Sequence, residues 1–265
     1  MLDSQIPVGA GLSSSAALEL LIASAFEYFN HLDIPPVELI ELCHRAENLM
    51  GIYSGIMDQF SIKLGRKGYA LLINCKNYDH EYIKLSRELA IIVVNTGIEH
   101  ELANSLYNQR VLECRKALKI LKTRMDMASL SSMGVDDFER HKGILDPMLR
   151  KRVKHVVYEN NRVLQSVECL KNGELEEFGD LLFASHDSLK NDYEVSCPEL
   201  DMVVYETKKL NGVFGARMTG AGFGGSAIVI VHKSEAKKMV RRLEDAFPIM
   251  DIYLCESADG VSKVL

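Results

Sequence analysis

Near the start of the chain, two segments have apolar residues at helical spacing. Between residues 14 and 29, apolar side chains recur every three or four positions, which is typical of one face of an α-helix. The residues on this predicted face are Leu18, Leu21, Ile22, Ala25, Phe26 and Phe29. A second helix is predicted from the Pro35-Pro36 pair to about Met50, because proline suits the first helical turn. Its apolar stripe consists of Val37, Ile40, Cys43, Glu47 and Met50. A carboxylate on such a stripe requires a partner.

The periodicity then changes to one that is typical of strands. The stretches KGYALLINC, HEYIKL and LAIIVVN predict a strand pair followed by a buried strand. Further helices are predicted in ELANSLYNQRVLECRKALKILK, from Pro147 to Leu170, in ELEEFGDLLFASHDSLK and in PELDMVVYETKKL. The C-terminal part predicts strand, strand, helix and strand, in VFGARM, SAIVIVH, SEAKKMVRRLEDAF and MDIYLCE. The fold class is therefore α+β, with a domain boundary predicted near residue 90, dividing 1–90 from 91–265.

The composition excludes several classes of function. The 265 residues carry a formal net charge of -6, with acidic and basic side chains interspersed, which argues against nucleic acid or an anionic membrane as the main partner. Six scattered cysteines without metal-ligand spacing are typical of reduced thiols. We find neither a secretory leader nor an apolar run of about 18 residues that could span a membrane. We therefore expect a soluble, cytoplasmic protein.

Two glycine-rich loops are the candidate binding elements. The first, GAGLSSSA at residues 9–16, lacks the Lys-Ser/Thr ending of a Walker A loop. Glycines, free N–H groups at a helix start and serine hydroxyls suit a phosphate or Mg²⁺, although a turn followed by a serine N-cap is the alternative. The second, GAGFGG at residues 220–225, matches the dinucleotide fingerprint, but a β-branched strand follows it instead of a helix, so a NAD site is excluded. This loop is either a loose hairpin or a close approach to a ligand.

The stretch GIMDQFSIKLG, after Gly51, predicts a turn and a short helix. Asp58 lies near the start of that helix and is a candidate base. A carboxylate there commonly stabilises the first helical turn. The alternative is that it accepts the proton of a substrate hydroxyl, as one aspartate does in phosphoryl-transfer enzymes. The eight histidines show no spacing that indicates a metal site, and His44 and His155 are interpreted as ordinary helix residues.

Four stretches taken together resemble a known family. PVGAGLSSSAALEL, GIMDQF, NDYEVSCPELD and MTGAGFGGSAIVI are similar to the galactokinase branch of the GHMP small-molecule kinases, and the resemblance runs along the whole chain. It implies a GHMP kinase-like fold, in which an incomplete N-terminal α+β domain precedes a ferredoxin-like α+β C-terminal domain. It also implies ATP-dependent phosphorylation of the anomeric hydroxyl of galactose, with Mg²⁺ as cofactor and the sugar and ATP as partners.

The resemblance also implies roles for individual residues. The first loop would surround the ATP phosphates with Gly9, Ala10, Gly11, Leu12, Ser13, Ser14 and Ser15. Ser15 and Glu47 would be Mg²⁺ ligands, and Asp58 would be the base that orients and deprotonates the sugar hydroxyl. Tyr107, in SLYNQR, would lie at the sugar. The second loop would help to fix the phosphates through Gly220, Gly222 and Gly224.

The sequence departs from the family pattern in two places. From Glu47 to Asp58 the chain is one residue shorter than the family spacing, and Ser54 replaces a cysteine. The larger departure is that a segment of about a hundred residues, with a GRVNLIGEH-like signature and much of the sugar site, is not found before the first loop. We therefore expect the first helix and the strands near residues 68–75 to leave apolar faces and sheet edges uncovered, and the chain alone to be a poor catalyst.

Two other functions are compatible with these features. A non-catalytic regulator that binds galactose and ATP, or an inactive remnant, would share the fold, although the presence of Glu47 and Asp58 favours an enzyme. A kinase for a related sugar, such as N-acetylgalactosamine or arabinose, is the other alternative, since the residues that select the sugar lie mostly in the segment not found here.

Overall fold

The N-terminal part of the molecule consists of three helices and a strand pair. The computed structural model of the chain describes residues 2–7, 9–50, 55–98 and 103–262. The first elements are α1 (Ser14–Phe29), α2 (Pro36–Leu49) and α3 (Met57–Leu64), followed by the antiparallel strands β1 (Tyr69–Ile73) and β2 (His80–Lys84). These elements confirm the helices and the strand pair predicted from periodicity. Ser54, one of the departures from the family pattern, lies outside the described residues.

The rest of the chain is a helical region framed by strands. The elements are β3 (Leu89–Asn95), α4 (Ala103–Leu121), α5 (Val135–His141), α6 (Pro147–Asn172), α7 (Leu175–Ser188), a π-helical turn (Leu189–Tyr193), α8 (Pro198–Thr207), β4 (Val213–Met218), β5 (Ser226–His232), α9 (Ala236–Ala246) and β6 (Asp251–Cys255). Periodicity predicts all of these except α5 and the π-helical turn. Both ends of α6 are set by capping residues. The Asp146 side chain accepts a hydrogen bond from the Leu149 N–H at 2.8 Å, and Gly173, at φ 78°, ends the helix in the left-handed conformation.

The last four strands form one antiparallel sheet in the order β4-β5-β3-β6. Counted along the chain from β3, this order is that of a ferredoxin-like fold, with two helical connections that follow β3 and β5. The central strand β3 is buried because it has a partner on each side; Val93 is paired with Ile228 on β5 and with Tyr253 on β6. Since β3 spans residues 89–95, it crosses the domain boundary expected near residue 90, and that boundary stays a prediction.

Three apolar clusters hold the described residues together. The largest packs the four-stranded sheet against α8 and α9, through residues such as Ile92, Val229, Leu200 and Leu243. A second joins α4, α5 and α6, and a third joins α1, α2 and α3 beneath the β1–β2 pair. Residues at the starts of α1 and α3 and in the loop between β4 and β5 line one pocket.

One face of α1 is exposed. The helix packs inward through Ala16 and Leu20, which are buried, whereas its apolar stripe points outward. Of this stripe, Leu18, Leu21, Ile22, Phe26 and Phe29 are between 44% and 75% exposed. The β1–β2 sheet has only two strands among the described residues, so each strand has an open edge. This confirms the expectation of an uncovered apolar helix face and uncovered sheet edges.

The described residues also show whether a helix could span a membrane and in which state the cysteines are. No helix in the described part of the chain has both the length and the apolar character that crossing a bilayer requires. All six cysteines are free thiols, and three of them are buried. The buried thiols are Cys43, Cys169 and Cys197.

Candidate active site

The two glycine-rich loops, more than 200 positions apart in the sequence, face each other across one pocket. The pocket has a volume of about 410 Å³. Its lining includes the predicted residues Gly9, Gly11, Leu12, Ser13, Ser14, Ser15, Asp58, Gly220, Gly222 and Gly224. Ile98 and the remaining residues between Thr219 and Gly225 complete it. The structure therefore brings nearly all of the predicted phosphate-site residues, and the predicted base, to one place.

Backbone contacts hold the first loop against the second. The Ser226 hydroxyl donates a hydrogen bond of 2.7 Å to the Ala10 carbonyl oxygen. Ala10 is 2% exposed and does not line the pocket, so the structure places it beneath the loop, as an anchor. Gly11 has a φ of 68°, and a Cβ built there would lie 3.7 Å from the Gly225 Cα. That distance is an ordinary van der Waals contact, so glycine at position 11 is favoured by the left-handed backbone and not by lack of space.

The second loop is also anchored to the segment that follows β3. The Gly225 carbonyl accepts hydrogen bonds from the Thr96 N–H at 3.0 Å and from the Thr96 hydroxyl at 2.7 Å. The Gly225 N–H donates to the Ile98 carbonyl at 3.0 Å. The loop joins β4 to β5 without a helix, which agrees with the exclusion of a dinucleotide fingerprint. It is a close approach of backbone to a pocket and not a loose hairpin.

The start of α1 differs from an ordinary serine cap. Ser13, at the N-cap position, has a left-handed φ of 57°, and its side chain makes no capping hydrogen bond. Ser13 instead lines the pocket together with Ser14 and Ser15, the first two residues of the helix. The N–H groups of a first helical turn have no partners within the helix, and the helix dipole adds positive potential at that end. This geometry favours the anion-site interpretation of the loop over the simple turn and cap.

Asp58, in the first turn of α3, supplies the pocket's carboxylate. Burial raises the pKa of this carboxyl group, and the negative charge of Glu47 acts in the same direction. The Ser13 hydroxyl acts in the opposite direction and lowers the pKa of Asp58, because a donor stabilises the charged form. A buried carboxylate with a raised pKa is a stronger base than an exposed one, as a proton acceptor requires.

Tyr107 lies near this carboxylate without lining the pocket. It is half-buried on α4. Burial raises the pKa of its phenol, and the charge of Asp58 is the next cause in size. The charge of Asp58 therefore acts on the Tyr107 phenol, although the two predicted residues belong to different helices.

The second predicted carboxylate lies on the inner side of α2. Glu47 is 6% exposed. Its Oε1 accepts a hydrogen bond from the Ser15 hydroxyl at 3.3 Å, and its Oε2 accepts one from the Gln59 amide at 2.8 Å. The two residues that the resemblance implies as Mg²⁺ ligands are therefore in direct contact.

Unpaired acceptors surround this contact. The buried Oε2 of Glu19 and the buried Oε1 of Gln59 have no hydrogen-bond partner among the residues that the structure describes. Burial raises the pKa of Glu19, and the charge of Glu47 contributes next. Within the described residues, no three His, Cys, Asp or Glu side chains are grouped so as to hold a metal ion. A hydroxyl, a carboxylate and unpaired oxygens nevertheless suit Mg²⁺, which takes few protein ligands and fills its shell with water and phosphate oxygens.

Sequence analysis did not identify several residues of the site. Glu19 follows Ser15 by four positions, and the i, i+4 spacing on a helix could have placed it beside Glu47. Gln59 follows Asp58 directly, but the sequence gives no sign that its amide would reach α2. Thr96 and Ile98 come from the end of a strand that carries no motif, so only the three-dimensional structure reveals them.

Known families match both ends of this chain, and known galactokinases match nearly all of it. The family described as "GHMP kinases N terminal domain" matches residues 1–66, and "GHMP kinases C terminal" matches residues 166–249. The chain is 40% identical to the galactokinase of Bacillus subtilis (strain 168), covering 98% of this chain and 68% of that protein. It is also 40% identical to the galactokinase of Thermotoga maritima, covering 99% of this chain and 75% of that protein.

A solved structure agrees with the sequence comparison. The Lactococcus lactis galactokinase, crystallised in complex with galactose, superposes with a TM-score of 0.92 at 38% identity. The match covers 98% of this chain and 69% of that one. Similarity at this level extends over the whole described fold, including both glycine loops. The chain therefore belongs to the galactokinase family of the GHMP kinases, which are phosphotransferases.

Proposed function

We propose that this chain transfers the γ-phosphoryl group of ATP to the anomeric hydroxyl of D-galactose, producing galactose 1-phosphate. The observation that carries the proposal is the pocket between the two glycine loops, with Asp58 in its wall. The printed names of the relatives, and the galactose bound to the L. lactis enzyme, favour this sugar as the acceptor.

The loops would bind the nucleotide phosphates. The backbone N–H groups of residues 9–15 and 220–224, the serine hydroxyls and the dipole of α1 all favour an anion in the same volume. Such fixed donors stabilise the charge on the phosphoryl oxygens without reorganising during transfer, and this is the main source of catalysis in phosphoryl-transfer enzymes.

Asp58 would act on the acceptor. Its pKa is raised by burial, so at neutral pH the carboxylate can hold the hydroxyl proton while the sugar oxygen attacks phosphorus. The balance of the reaction is simple: the O–P bond to the sugar forms, the bond to the ADP oxygen breaks, and Asp58 receives the hydroxyl proton. Tyr107, beside Asp58, would help to position the sugar.

Ser15 and Glu47 would hold a Mg²⁺ ion near the phosphates. When bound, the ion would neutralise phosphate charge and help to orient the γ-phosphoryl group. The unpaired oxygens of Glu19 and Gln59 support an oxygen-binding cation at this place. Gln59 would keep the Glu47 carboxylate in position through its 2.8 Å hydrogen bond.

The test is ADP release by the 265-residue chain in the presence of Mg²⁺-ATP and D-galactose, against a blank without sugar. The chain, which we expect to be a poor catalyst by itself, should show weak galactose-dependent turnover, and the Asp58→Asn variant should lose at least about 100-fold of it. The matched control is Asp33→Asn, which removes an exposed carboxylate and should retain the activity. N-acetylgalactosamine and L-arabinose, tested in the same assay, would distinguish a kinase for a related sugar.

Two outcomes would count against the proposal. Nucleotide and galactose binding without turnover, by folded protein, would favour a non-catalytic regulator. Equal turnover by the wild type and by Asp58→Asn would remove Asp58 from the mechanism, because an amide cannot accept the hydroxyl proton.

A further inference from the structure

Two arginines donate hydrogen bonds to the backbone of a short segment between α7 and α8. In the π-helical turn and the residue after it, three successive carbonyl groups accept hydrogen bonds from guanidinium groups. Arg152 Nη1 donates to the Asp192 carbonyl at 2.7 Å. Arg110 donates from Nε to the Tyr193 carbonyl at 2.7 Å and from Nη2 to the Glu194 carbonyl at 3.1 Å. Side chains of α4 and α6 thus fix the path of the backbone here.

Two carboxylates hold these arginines. Arg152 Nη2 donates to the Glu194 carboxylate at 2.8 Å, and both arginines share Glu113. Glu113 on α4 accepts from Arg110 Nη1 at 3.1 Å and from Arg152 Nε at 2.7 Å. All three side chains are buried; Arg152 is 2% exposed, and Arg110 and Glu113 are 7% exposed. Arginine is suited to this role, because its rigid fork holds several acceptors at once and stays charged. We call Arg110, Glu113 and Arg152 the arginine clamp.

The clamped segment leads directly to the second glycine loop. Glu194 adopts a left-handed φ of 57°, and the next residue, Val195, is 1% exposed. The Val195 carbonyl accepts a hydrogen bond of 2.7 Å from the Phe223 N–H, in the middle of the loop. The loop rests closely on this carbonyl, since a Cβ built on Gly222 would lie 2.2 Å from the Val195 oxygen.

We propose that Arg110 and Arg152 are positioning residues for the nucleotide, acting through Val195 on the loop at residues 219–225. This inference rests on the proposed function, in which that loop binds the phosphates of ATP. The clamp does not line the pocket. It fixes the Val195 carbonyl, the carbonyl fixes Phe223 and Gly222, and the loop amides are thereby held in the orientation that an anion requires.

The first test measures the loop without any ligand. Hydrogen exchange of peptides that cover residues 219–225 is compared between the wild type, Arg152→Met and Arg152→Lys. The Met variant should exchange in this loop at least about tenfold faster, because the path from α6 to Val195 is broken. The lysine side chain keeps the positive charge but lacks the planar fork, so the Lys variant should lie between the other two proteins. Peptides from β3, outside this path, should be unchanged.

The second test measures nucleotide and sugar binding by calorimetry in the same proteins. The dissociation constant for ATP, in the presence of EDTA, should rise about tenfold in Arg152→Met, while that for galactose stays within about twofold. The control is Arg140→Met, which removes an exposed ion pair with Asp137 in the same helical region and should leave both constants unchanged. If Arg152→Met does not fold, Arg110→Lys replaces it, because it retains the charge and loses the fork to two carbonyls.

The outcomes separate the two proposals. A wild-type chain that is folded and binds no nucleotide would overturn the proposed function. A wild-type chain that binds ATP, with folded clamp variants that bind it equally well and show unchanged loop exchange, would overturn the positioning role alone. In that case the clamp would only stabilise the fold.

Discussion

Replacing Gly222 by alanine provides a quantitative test of how closely the second glycine loop rests on Val195. The alanine Cβ would lie 2.2 Å from the Val195 oxygen and 2.9 Å from the Met218 Cε, at a φ of 88°. Two costs therefore add. An L-residue in the left-handed region costs about 1–2 kcal/mol, and the displacement of packed backbone costs a further ~1–3 kcal/mol.

The chain offers a control that separates these costs. Gly173, after α6, has a similar φ of 78°, but a Cβ there meets nothing within 4 Å. Gly173→Ala should therefore lose only the backbone cost of about 1–2 kcal/mol. Gly222→Ala should lose a total of about 2–5 kcal/mol. It should also bind ATP less tightly, since it moves the loop amides, whereas Gly173→Ala should bind it normally.

The assay is urea unfolding followed by circular dichroism, with the free energy of unfolding compared among the wild type and the two variants. A larger loss for Gly222→Ala than for Gly173→Ala, by ~1–3 kcal/mol, is the expected result. Equal losses would refute the reasoning, because they would show that the loop can move away from Val195 without cost. The packing of Gly222 on Val195 would then no longer support the positioning role of the clamp.

Three further predictions concern ionisable groups. Asp58→Asn should remove activity and raise the thermal midpoint at neutral pH. Because the pKa of Asp58 is raised in the folded state, its ionisation destabilises the fold as the pH rises through that pKa, and the neutral amide avoids this loss. Glu47→Gln should raise the Mg²⁺ concentration for half-maximal turnover at least about tenfold, as measured by magnesium titration. Burial holds the pKa of His155 at about 4. His155 should therefore contribute a loss of about 3 kcal/mol in the free energy of unfolding as the pH falls from about 6.5 to about 4, because the unfolded chain protonates this imidazole more readily than the folded protein does. His155→Phe, which retains an aromatic ring against Tyr193, should lose much less in urea unfolding at the two pH values.

Much of the fold could be predicted from local patterns, because its elements are long and strongly periodic. The helices α1, α2 and α6 and the strands β3 and β5 lie within a few residues of their expected positions. Periodicity could identify the apolar stripe of α1 but could not decide whether anything covers it, since burial depends on which segments pack nearby. The short helix α5 and the π-helical turn were not predicted, because neither has enough turns to produce a repeating pattern.

The candidate site shows a different limit. Motifs indicate its residue types, and Glu47 stands out in the sequence because a carboxylate does not suit an apolar stripe. The pairing of the two loops could not be read in this way, since it depends on tertiary contacts such as the hydrogen bond from the Ser226 hydroxyl to the Ala10 carbonyl. The arginine clamp could not be predicted from the sequence either, because nothing distinguishes Arg110 and Arg152 from other charged residues on helices. Their hydrogen bonds to three carbonyl groups exist only in the tertiary fold.

These hidden contacts have a consequence for the pocket. Its wall is built largely from glycine and serine, whose side chains are too small to hold a shape by packing against each other. The shape must therefore be imposed from outside, by groups that bind the loop backbones. Thr96 performs this task at one end of the second loop, Ser226 ties that loop to the first, and Val195, fixed by the clamp, supports the middle. A phosphate site of small residues thus depends on a buried polar frame, and substitutions in that frame should change nucleotide binding although they never touch the nucleotide.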